Sequence, residues 1–264
     1  MQPLTVTLIQ TDLSWEDKDR NLGMLEEKIN NISERTELVV LPEMFSTGFS
    51  MDAEQLAEGP DGQTLNWMKR IAAEQRTIIT GSLIFKEDER FYNRAVWMLP
   101  DGNYGNYDKR HLFAYGKENQ YYSAGSKRLI AQAKGWRINL QICYDLRFPV
   151  WARNRIDANG QPEYDLLIYM ANWPAKRSHA WKTLLCARAI ENQCYVIGVN
   201  RTGEDGNDLQ YSGNSMVIDP LGEVLYHHMD TEDVFTITLD KEHLQEVRKI
   251  FPFLKDADDF DLRS

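Results

Sequence analysis

Short apolar runs alternate with amphipathic stretches along the chain, which is typical of an α/β fold. Residues 4–10 predict a first strand, and the apolar positions of the next stretch recur at helical spacing. These positions are Leu22, Leu25, Ile29 and Ile32. The following run, residues 38–41, is apolar throughout and ends at Pro42, so it predicts a buried strand.

The same alternation continues toward the end of the chain. Further strands are predicted over residues 77–85, 91–98, 105–107, 137–143, 166–170, 195–199, 215–218, 223–226 and 234–239. Further helices are predicted over residues 63–74, 178–193 and 241–250. Several strands need cover on both faces, which two mixed sheets between helix layers would provide. No repeat or linker divides the chain, so residues 1–254 predict one domain, followed by a polar, acidic tail at 255–264.

Composition excludes several classes of partner. The chain has 264 residues, with 30 basic and 40 acidic side chains and a formal net charge of −10. Without a basic block, such a chain is a poor binder of nucleic acid or of anionic membranes. Its apolar runs fall far short of the ~20 residues of a spanning helix, and its start lacks the pattern of a signal peptide. With only three cysteines, an odd number, we expect reduced thiols and a cytoplasmic protein.

Several motifs of cofactor and metal chemistry are missing from the sequence. It contains no phosphate-binding glycine motif of the Walker or dinucleotide type and no Gly-x-Ser-x-Gly. The five histidines lack His-x-x-x-His spacing, and no cysteine pair has the spacing of metal ligands. We therefore do not expect a structural zinc site.

Cys143 is the cysteine best placed for chemistry. It follows a predicted strand, and Pro149 suits the first turn of a helix shortly after it. A junction of this kind exposes a nucleophile among backbone N–H groups that can hold an oxyanion. The alternative is that Cys143 is a small buried apolar residue, the interpretation kept for Cys186 and Cys194.

A thiol nucleophile needs a base and an electrostatic helper, and two residues at strand ends suit these tasks. Glu43 follows the strand at 38–41, where apolar neighbours favour a raised carboxyl pKa. Lys109 follows the strand at 105–107, and its ammonium would favour a thiolate and stabilise an oxyanion. Taken singly, each fits a solvated surface charge better, because Glu and Lys are almost never fully buried without a partner.

Three segments around these residues resemble the signature segments of the nitrilase, or carbon–nitrogen hydrolase, superfamily. They are Leu41-Pro42-Glu43-Met44-Phe45, Tyr107-Asp108-Lys109-Arg110-His111-Leu112-Phe113 and Ile142-Cys143-Tyr144-Asp145-Leu146-Arg147-Phe148-Pro149. Supporting segments include Tyr92-Asn93-Arg94-Ala95, Ala171-Asn172-Trp173-Pro174, Ala187-Arg188-Ala189-Ile190-Glu191-Asn192-Gln193 and Asp219-Pro220-Leu221-Gly222. The resemblance spans residues 3–240, in family order.

The resemblance implies an αββα sandwich and a Glu–Lys–Cys triad. By position, Glu43 is the general base, Lys109 the oxyanion stabiliser and Cys143 the nucleophile. It also implies a second glutamate, for which Glu118 is the candidate, and a second oxyanion donor at the backbone N–H of Tyr144. The family uses no metal or organic cofactor, and its members commonly form dimers.

Within the family, His111-Leu112-Phe113 and the compact chain are most similar to the omega-amidase branch. That branch hydrolyses the terminal amide of 2-oxo dicarboxylic acid monoamides such as 2-oxoglutaramate and 2-oxosuccinamate. The substrate carboxylate calls for a fixed cation, because an arginine fork matches its geometry. The candidates by position are Arg147, Arg177 and Arg201, with Tyr144 and Trp173 as pocket walls.

The sequence leaves other functions open. Ala114-Tyr115-Gly116-Lys117 and Val150 depart from the omega-amidase pattern, so an N-carbamoyl or aliphatic amide hydrolase is an alternative. A papain-like hydrolase with His111 as base is a second alternative. A non-catalytic scaffold of the same fold is a third.

Overall fold

The computed structural model describes residues 2–258, 260 and 261. The described strands are β1 (Leu4–Gln10), β2 (Leu38–Val40), β3 (Ile78–Glu87), β4 (Arg90–Met98), β5 (Tyr104–Asp108), β6 (Ile130–Ala133), β7 (Trp136–Ile142), β8 (Leu166–Met170), β9 (Tyr195–Val199), β10 (Thr202–Glu204), β11 (Gln210–Ile218), β12 (Val224–Met229) and β13 (Asp233–Leu239). The described α-helices are α1 (Lys18–Asn30), α2 (Ala53–Leu56), α3 (Gln63–Gln75), α4 (Glu118–Tyr121), α5 (Pro149–Ala152), α6 (Ser178–Asn192) and α7 (Lys241–Ile250).

The strands form two mixed sheets. In the first sheet the order is β13-β1-β2-β3-β4-β5, with β1, β2 and β3 parallel and the outer strands antiparallel. In the second sheet, β7, β8 and β9 are parallel, β6 pairs with β7, and β11 joins β9 to both β10 and β12. The parallel strands at each sheet centre carry the apolar runs that the sequence pattern singles out.

Alternating residues of the first sheet face two different cores. Leu8 and Val40 join the large cluster that also contains Ile138 of the second sheet. Ile9 and Val39 point the other way, into a cluster with apolar side chains of α1 and α3. On the second sheet, α6 packs over β9 and β11. The two sheets therefore pack face to face with helices outside, which confirms the predicted αββα sandwich.

The predicted elements differ from the observed ones mainly at their ends. The strand at 137–143 ends one residue earlier, because Cys143 begins a 3₁₀ turn, Cys143–Arg147. β11 begins at Gln210 rather than 215, because its polar first half pairs with β10 as a hairpin. The short elements α2, β6 and β10 carry too few residues for a periodic signal.

The polar tail predicted for 255–264 contacts the fold where it is described. Phe253–Asp256 forms a 3₁₀ turn that buries Leu254, and the Arg155 guanidinium lies 4.7 Å from the ring centroid of Phe260. Asp259 and residues 262–264 lie outside the described residues, as does Met1. Among the described helices, none has the length and apolarity needed to cross a bilayer.

Candidate active site

Glu43 lies in a turn just after β2, fully buried at the end of the first sheet. The turn is fixed on β3, because the Met44 N–H donates to Ser82 Oγ (2.9 Å) and the Phe45 N–H to Ser82 O (3.1 Å). The carboxylate is held from the other sheet as well. Glu43 Oε2 accepts a hydrogen bond from the Asn172 N–H (2.8 Å), directly after β8.

Lys109 follows β5, and its ammonium is buried between two carboxylates. Lys109 Nζ donates to Glu43 Oε1 (2.8 Å) and to Glu118 Oε1 and Oε2 (3.0 and 2.9 Å). Burial alone would lower the pKa of Lys109, but Glu118 and Glu43 raise it above its ordinary value. The lysine is therefore a fixed cation.

Glu118 begins α4 and joins the same cluster, also without exposure. Its Oε2 accepts a hydrogen bond from the Phe113 N–H (2.6 Å), and Asn93 Nδ2 donates to Glu118 Oε1 (3.2 Å) and to Glu43 Oε1 (2.8 Å). Burial raises the pKa of Glu118, although Lys109 opposes the shift. The second glutamate expected from the sequence thus touches both Lys109 and the segment that follows it.

Cys143 lies where β7 gives way to the 3₁₀ turn, and Pro149 begins α5 as the sequence predicts. Its φ is +42°, a left-handed conformation that costs energy for a side chain with a Cβ. Cys143 Sγ lies 3.9 Å from Asn172 O, and 9% of the residue is exposed. Burial, followed by the charge of Glu43, raises the thiol pKa well above its ordinary value. Lys109 lowers that pKa but does not outweigh them, so the resting sulfur is a thiol rather than the thiolate that the sequence argument favoured.

A cavity of about 400 Å³ opens at Cys143. Besides Cys143 and Lys109, the residues predicted to bind substrate, Tyr144, Arg147 and Trp173, all line it. The other lining residues are Phe49, Met51, Phe113, Tyr115, Gly116, Asn172, Pro174, Lys176, Arg177, Asp205, Asn207, Leu209 and Tyr211.

The three candidate arginines fall into two groups. Arg147 stacks on the Trp173 ring (4.9 Å to the centroid) and Arg177 on the Phe113 ring (5.2 Å), all at the cavity. Arg201 is fully buried, and its Nη2 donates to Asp12 Oδ1 (2.7 Å). The structure therefore brings Arg147 and Arg177 to the cavity and places Arg201 in an ion pair elsewhere.

His111, the alternative base, is engaged away from the sulfur. Its Nδ1 lies 2.8 Å from Asp145 Oδ1, and its ring stacks on Phe148 with centroids 3.9 Å apart. His111 does not line the cavity in the described part of the chain. Since β5 ends at Asp108, Lys109 and His111 do not share a face of that strand.

Sequence reasoning gave no role to three residues that organise the cluster: Asn93, Asn172 and Asp145. Asn93 and Asn172 both bind Glu43, and the Asn172 Nδ2 donates to Glu43 O (2.5 Å). Asp145 holds the turn that carries Cys143. All three lie in segments that carry the family resemblance, a signal that could have pointed to them.

The side chains of the cluster favour acid–base chemistry. Across residues 2–258, 260 and 261, no group of three or more His, Cys, Asp or Glu side chains is arranged to hold a metal ion. The cluster instead combines a thiol, an ammonium and two carboxylates, which suits nucleophilic attack on a carbonyl carbon.

Comparison with known proteins agrees with this fold. Residues 5–249 match the carbon-nitrogen hydrolase family. Omega-amidase YafV of Escherichia coli is 43% identical, over 99% of this chain and 100% of its own length. The 2-oxoglutaramate amidase of Bacillus subtilis is 32% identical, over 96% of both chains. The chain therefore belongs to the carbon–nitrogen hydrolase family, and it is an amidohydrolase.

A solved structure matches the whole fold. The crystal structure of a CN-hydrolase superfamily protein from Xanthomonas campestris, with an arsenic adduct in its active site, is 45% identical to this chain. It covers 100% of both chains, with a TM-score of 0.97.

Proposed function

We propose that this protein hydrolyses the terminal amide of a 2-oxo dicarboxylic acid monoamide, such as 2-oxoglutaramate or 2-oxosuccinamate, to the acid and ammonia. The observation that carries the proposal is one buried ammonium, Lys109, held by Glu43 and Glu118 at a cavity that contains the Cys143 sulfur. The relatives named omega-amidase and 2-oxoglutaramate amidase support this choice of amide.

In the first half of the reaction, Glu43 takes the thiol proton while Cys143 Sγ attacks the amide carbon. A base is needed because burial keeps the resting sulfur protonated. The new C–S bond pushes an electron pair onto the carbonyl oxygen, and Lys109 Nζ and the Tyr144 N–H stabilise that oxyanion. Glu43 then returns the proton to nitrogen, the C–N bond breaks, and ammonia leaves a thioester on Cys143.

In the second half, water replaces ammonia. Glu43 takes a proton from the water as its oxygen attacks the thioester carbon. The C–S bond then breaks, the proton returns to the sulfur, and the carboxylic acid product leaves. Glu118 touches no reacting atom in this scheme. Its contribution is to hold Lys109 and the backbone of Phe113.

Arg147 is the proposed anchor for the substrate carboxylate. It lines the cavity at the end of the turn that begins with Cys143, and its guanidinium lies over the Trp173 ring, 4.9 Å from the centroid. A stacked guanidinium keeps its N–H edge available for a carboxylate. Tyr144 contacts Phe113 and Phe148 edge to face, which suits a rigid wall beside the acyl chain.

A substrate panel on the purified protein tests the proposal. We expect ammonia from 2-oxoglutaramate at the highest kcat/KM, less from an N-carbamoyl amino acid and a simple aliphatic amide, and none from a nitrile. Cys143→Ala and Cys143→Ser are expected to lose at least about 1000-fold in kcat while keeping the wild-type fold by circular dichroism. Substantial turnover in either variant would refute the nucleophile. Absence of ammonia from every substrate would favour the scaffold alternative.

We further propose a cytoplasmic homodimer. Exposed apolar side chains occur on α5, α6 and the segment after α7: Val150, Ile190, Phe251 and Phe253. These elements are tied together, because Arg153 Nη1 donates to Glu191 O and Gln193 Nε2 to Phe251 O. Exposed apolar side chains on connected elements support a second copy as partner. Light scattering, which gives the mass in solution, tests the dimer.

A further inference from the structure

The Asp145 carboxylate is fully buried and accepts four hydrogen bonds. Its Oδ2 accepts from the Ile142 N–H (3.0 Å) and from Tyr107 Oη (2.7 Å). Its Oδ1 accepts from the His111 N–H (2.9 Å) and lies 2.8 Å from His111 Nδ1. Each carboxylate oxygen therefore has one backbone donor and one side-chain partner.

These partners belong to two different sheets. Ile142 ends β7 of the second sheet, and it directly precedes Cys143. Tyr107 lies in β5 of the first sheet, and Tyr107 and His111 flank Lys109 in sequence. No strand pairing joins β5 to β7, so backbone ladders do not set the distance between the sulfur and the ammonium. Asp145 bridges that gap.

We propose that Asp145 is a positioning residue that fixes the nucleophile Cys143 relative to the oxyanion stabiliser Lys109. The inference rests on the roles given to these two residues in the proposed function. The Cys143 backbone needs support because its φ of +42° is strained. Asp145 supplies it by binding the peptide N–H just before the strained residue. Tyr107 extends the support to α5, because its hydroxyl accepts from Trp151 Nε1 (3.0 Å).

Asp145→Asn is the sharpest variant, because the new side chain has nearly the same shape. An amide has one acceptor oxygen, whereas fixed backbone donors stand at both carboxylate oxygens. One of the two backbone N–H groups, that of Ile142 or that of His111, must therefore lose its acceptor. We expect kcat to fall about 100-fold with KM within twofold of the wild type, because a misplacement near 1 Å costs about that much. Loss of binding would instead raise KM.

Asp165→Asn is the matched control for stability. Asp165 is a buried aspartate with backbone and side-chain donors, and it is not among the residues that line the cavity. We expect this variant to lose stability and to keep the wild-type kcat. If both variants lost kcat in proportion to their loss of stability, or if Asp145→Asn kept kcat within threefold of the wild type, the positioning role would be wrong.

His111→Phe gives a second test that does not depend on folding of the Asn variant. A phenyl ring keeps the stacking on Phe148 but removes the Nδ1 contact with Asp145. We expect kcat to fall about fivefold to tenfold at constant KM, since the backbone donors remain. An unchanged kcat would count against a positioning role for the hydrogen bonds around Asp145. Complete loss of activity would assign the imidazole a direct role in place of positioning.

A substrate-independent measurement separates this inference from the proposed function. The titratable groups that interact with the sulfur are Glu43, Glu118, Lys109 and, in the same cavity, Tyr211; of those that act on the thiol pKa, Lys109 is the one that lowers it. If Asp145→Asn moves the ammonium away, alkylation of Cys143 by iodoacetamide should shift to higher pH by about one unit, a tenfold slower reaction at fixed pH. Such a shift without amide hydrolysis by the wild type would uphold positioning and refute the function. Hydrolysis with an unshifted profile would do the reverse.

Discussion

At the scale of single residues, the main feature of the site is that three charged side chains are buried together. Two carboxylates, Glu43 and Glu118, surround one ammonium, and none of the three side chains is exposed. Burial raises the pKa of Glu118, whereas both carboxylates raise that of Lys109. The ammonium is therefore the fixed charge of the cluster, and its positive charge acts on both carboxylates.

Glu118→Gln tests how much Glu118 contributes through Lys109. The amide still accepts from Lys109 Nζ through one oxygen, but its NH₂ then faces the lysine together with either the Asn93 amide or the Phe113 N–H. We expect kcat to fall about 10- to 100-fold, less than the 10²–10³ typical of a lost oxyanion donor. Steady-state ammonia release measures this.

Glu37→Gln is the matched control, because Glu37 pairs with Lys134 outside the cavity. It should keep kcat within twofold. A loss in Glu118→Gln as complete as in Cys143→Ala would contradict a positioning role and place Glu118 in direct contact with the reacting atoms.

Sequence reasoning reached the residues that carry an obvious chemical group at a strand end. Lys109 and Cys143 lie directly after β5 and β7, and Glu43 lies shortly after β2; such positions can be read from periodicity. The role of Asp145 could not be read in this way. Its partners lie 34 and 38 residues away, and its role depends on which strands become neighbours. Arg201 was misleading for the same reason, since its partner Asp12 is 189 residues away.

At the scale of elements, the Glu43 turn depends on how closely β3 approaches it. The Leu41 N–H donates to Thr80 O and the Phe45 N–H to Ser82 O, so the turn arches over Gly81. A Cβ on Gly81 would lie 2.6 Å from Phe45 Cδ1 and 2.9 Å from Leu41 Cβ. A glycine is needed here because both neighbours are buried and one contact is a Cβ atom that cannot rotate away.

Gly81→Ala is therefore expected to lower the free energy of unfolding by about 1–3 kcal/mol through overpacking. It should also lower kcat, because the displaced turn carries Glu43. Urea unfolding and ammonia release measure the two effects.

Gly23→Ala on α1 is the control, because its Cβ would meet nothing within 4 Å. It should stabilise by about 0.5–1 kcal/mol through helix propensity. Equal effects of the two substitutions would contradict the close approach.

Among the elements, those with a long periodic pattern were predicted best. α7 and β8 have the predicted bounds, because caps or apolar runs mark both ends. The sequence pattern places Cys143 at the end of a strand, because the alternation of apolar and polar residues continues to that residue. The left-handed conformation there is accompanied by a local hydrogen bond and two long-range hydrogen bonds to Asp145, and it leaves no mark in the hydrophobic pattern.

At the scale of the whole molecule, the site straddles the two sheets. Glu43 and Lys109 come from the first sheet, and Cys143 and Asn172 from the second. The sandwich followed from apolar runs that need two covered faces. The strand order did not follow from the sequence pattern, because it depends on which strand edges come together when the chain folds. Activity consequently requires that the sheets stay packed on each other.

The contact between Asp165 and α7 links the second sheet to the last helix, and it should make stability depend on pH. Asp165 Oδ1 accepts from Arg248 Nη1 (2.8 Å), and Oδ2 accepts from Lys241 Nζ (3.1 Å). Burial alone would raise the pKa of Asp165, but Arg248, the backbone N–H of Arg137 and Lys241 together lower it. A lowered carboxyl pKa stabilises the fold above the unfolded pKa near ~4 and ceases to do so as pH falls through the folded value.

Asp165→Asn should therefore cost about 3 kcal/mol of unfolding free energy at pH 7, because it leaves two cations without their carboxylate. The difference from wild type should shrink as pH falls below ~4, where the wild-type carboxylate also becomes protonated. Urea unfolding between pH 3 and pH 7 measures this difference. Glu74→Gln, which removes an exposed partner of Arg70, should stay within about 0.5 kcal/mol of wild type throughout. A difference for Asp165→Asn that stays constant with pH would show that the ion pairs with α7 do not supply this stability.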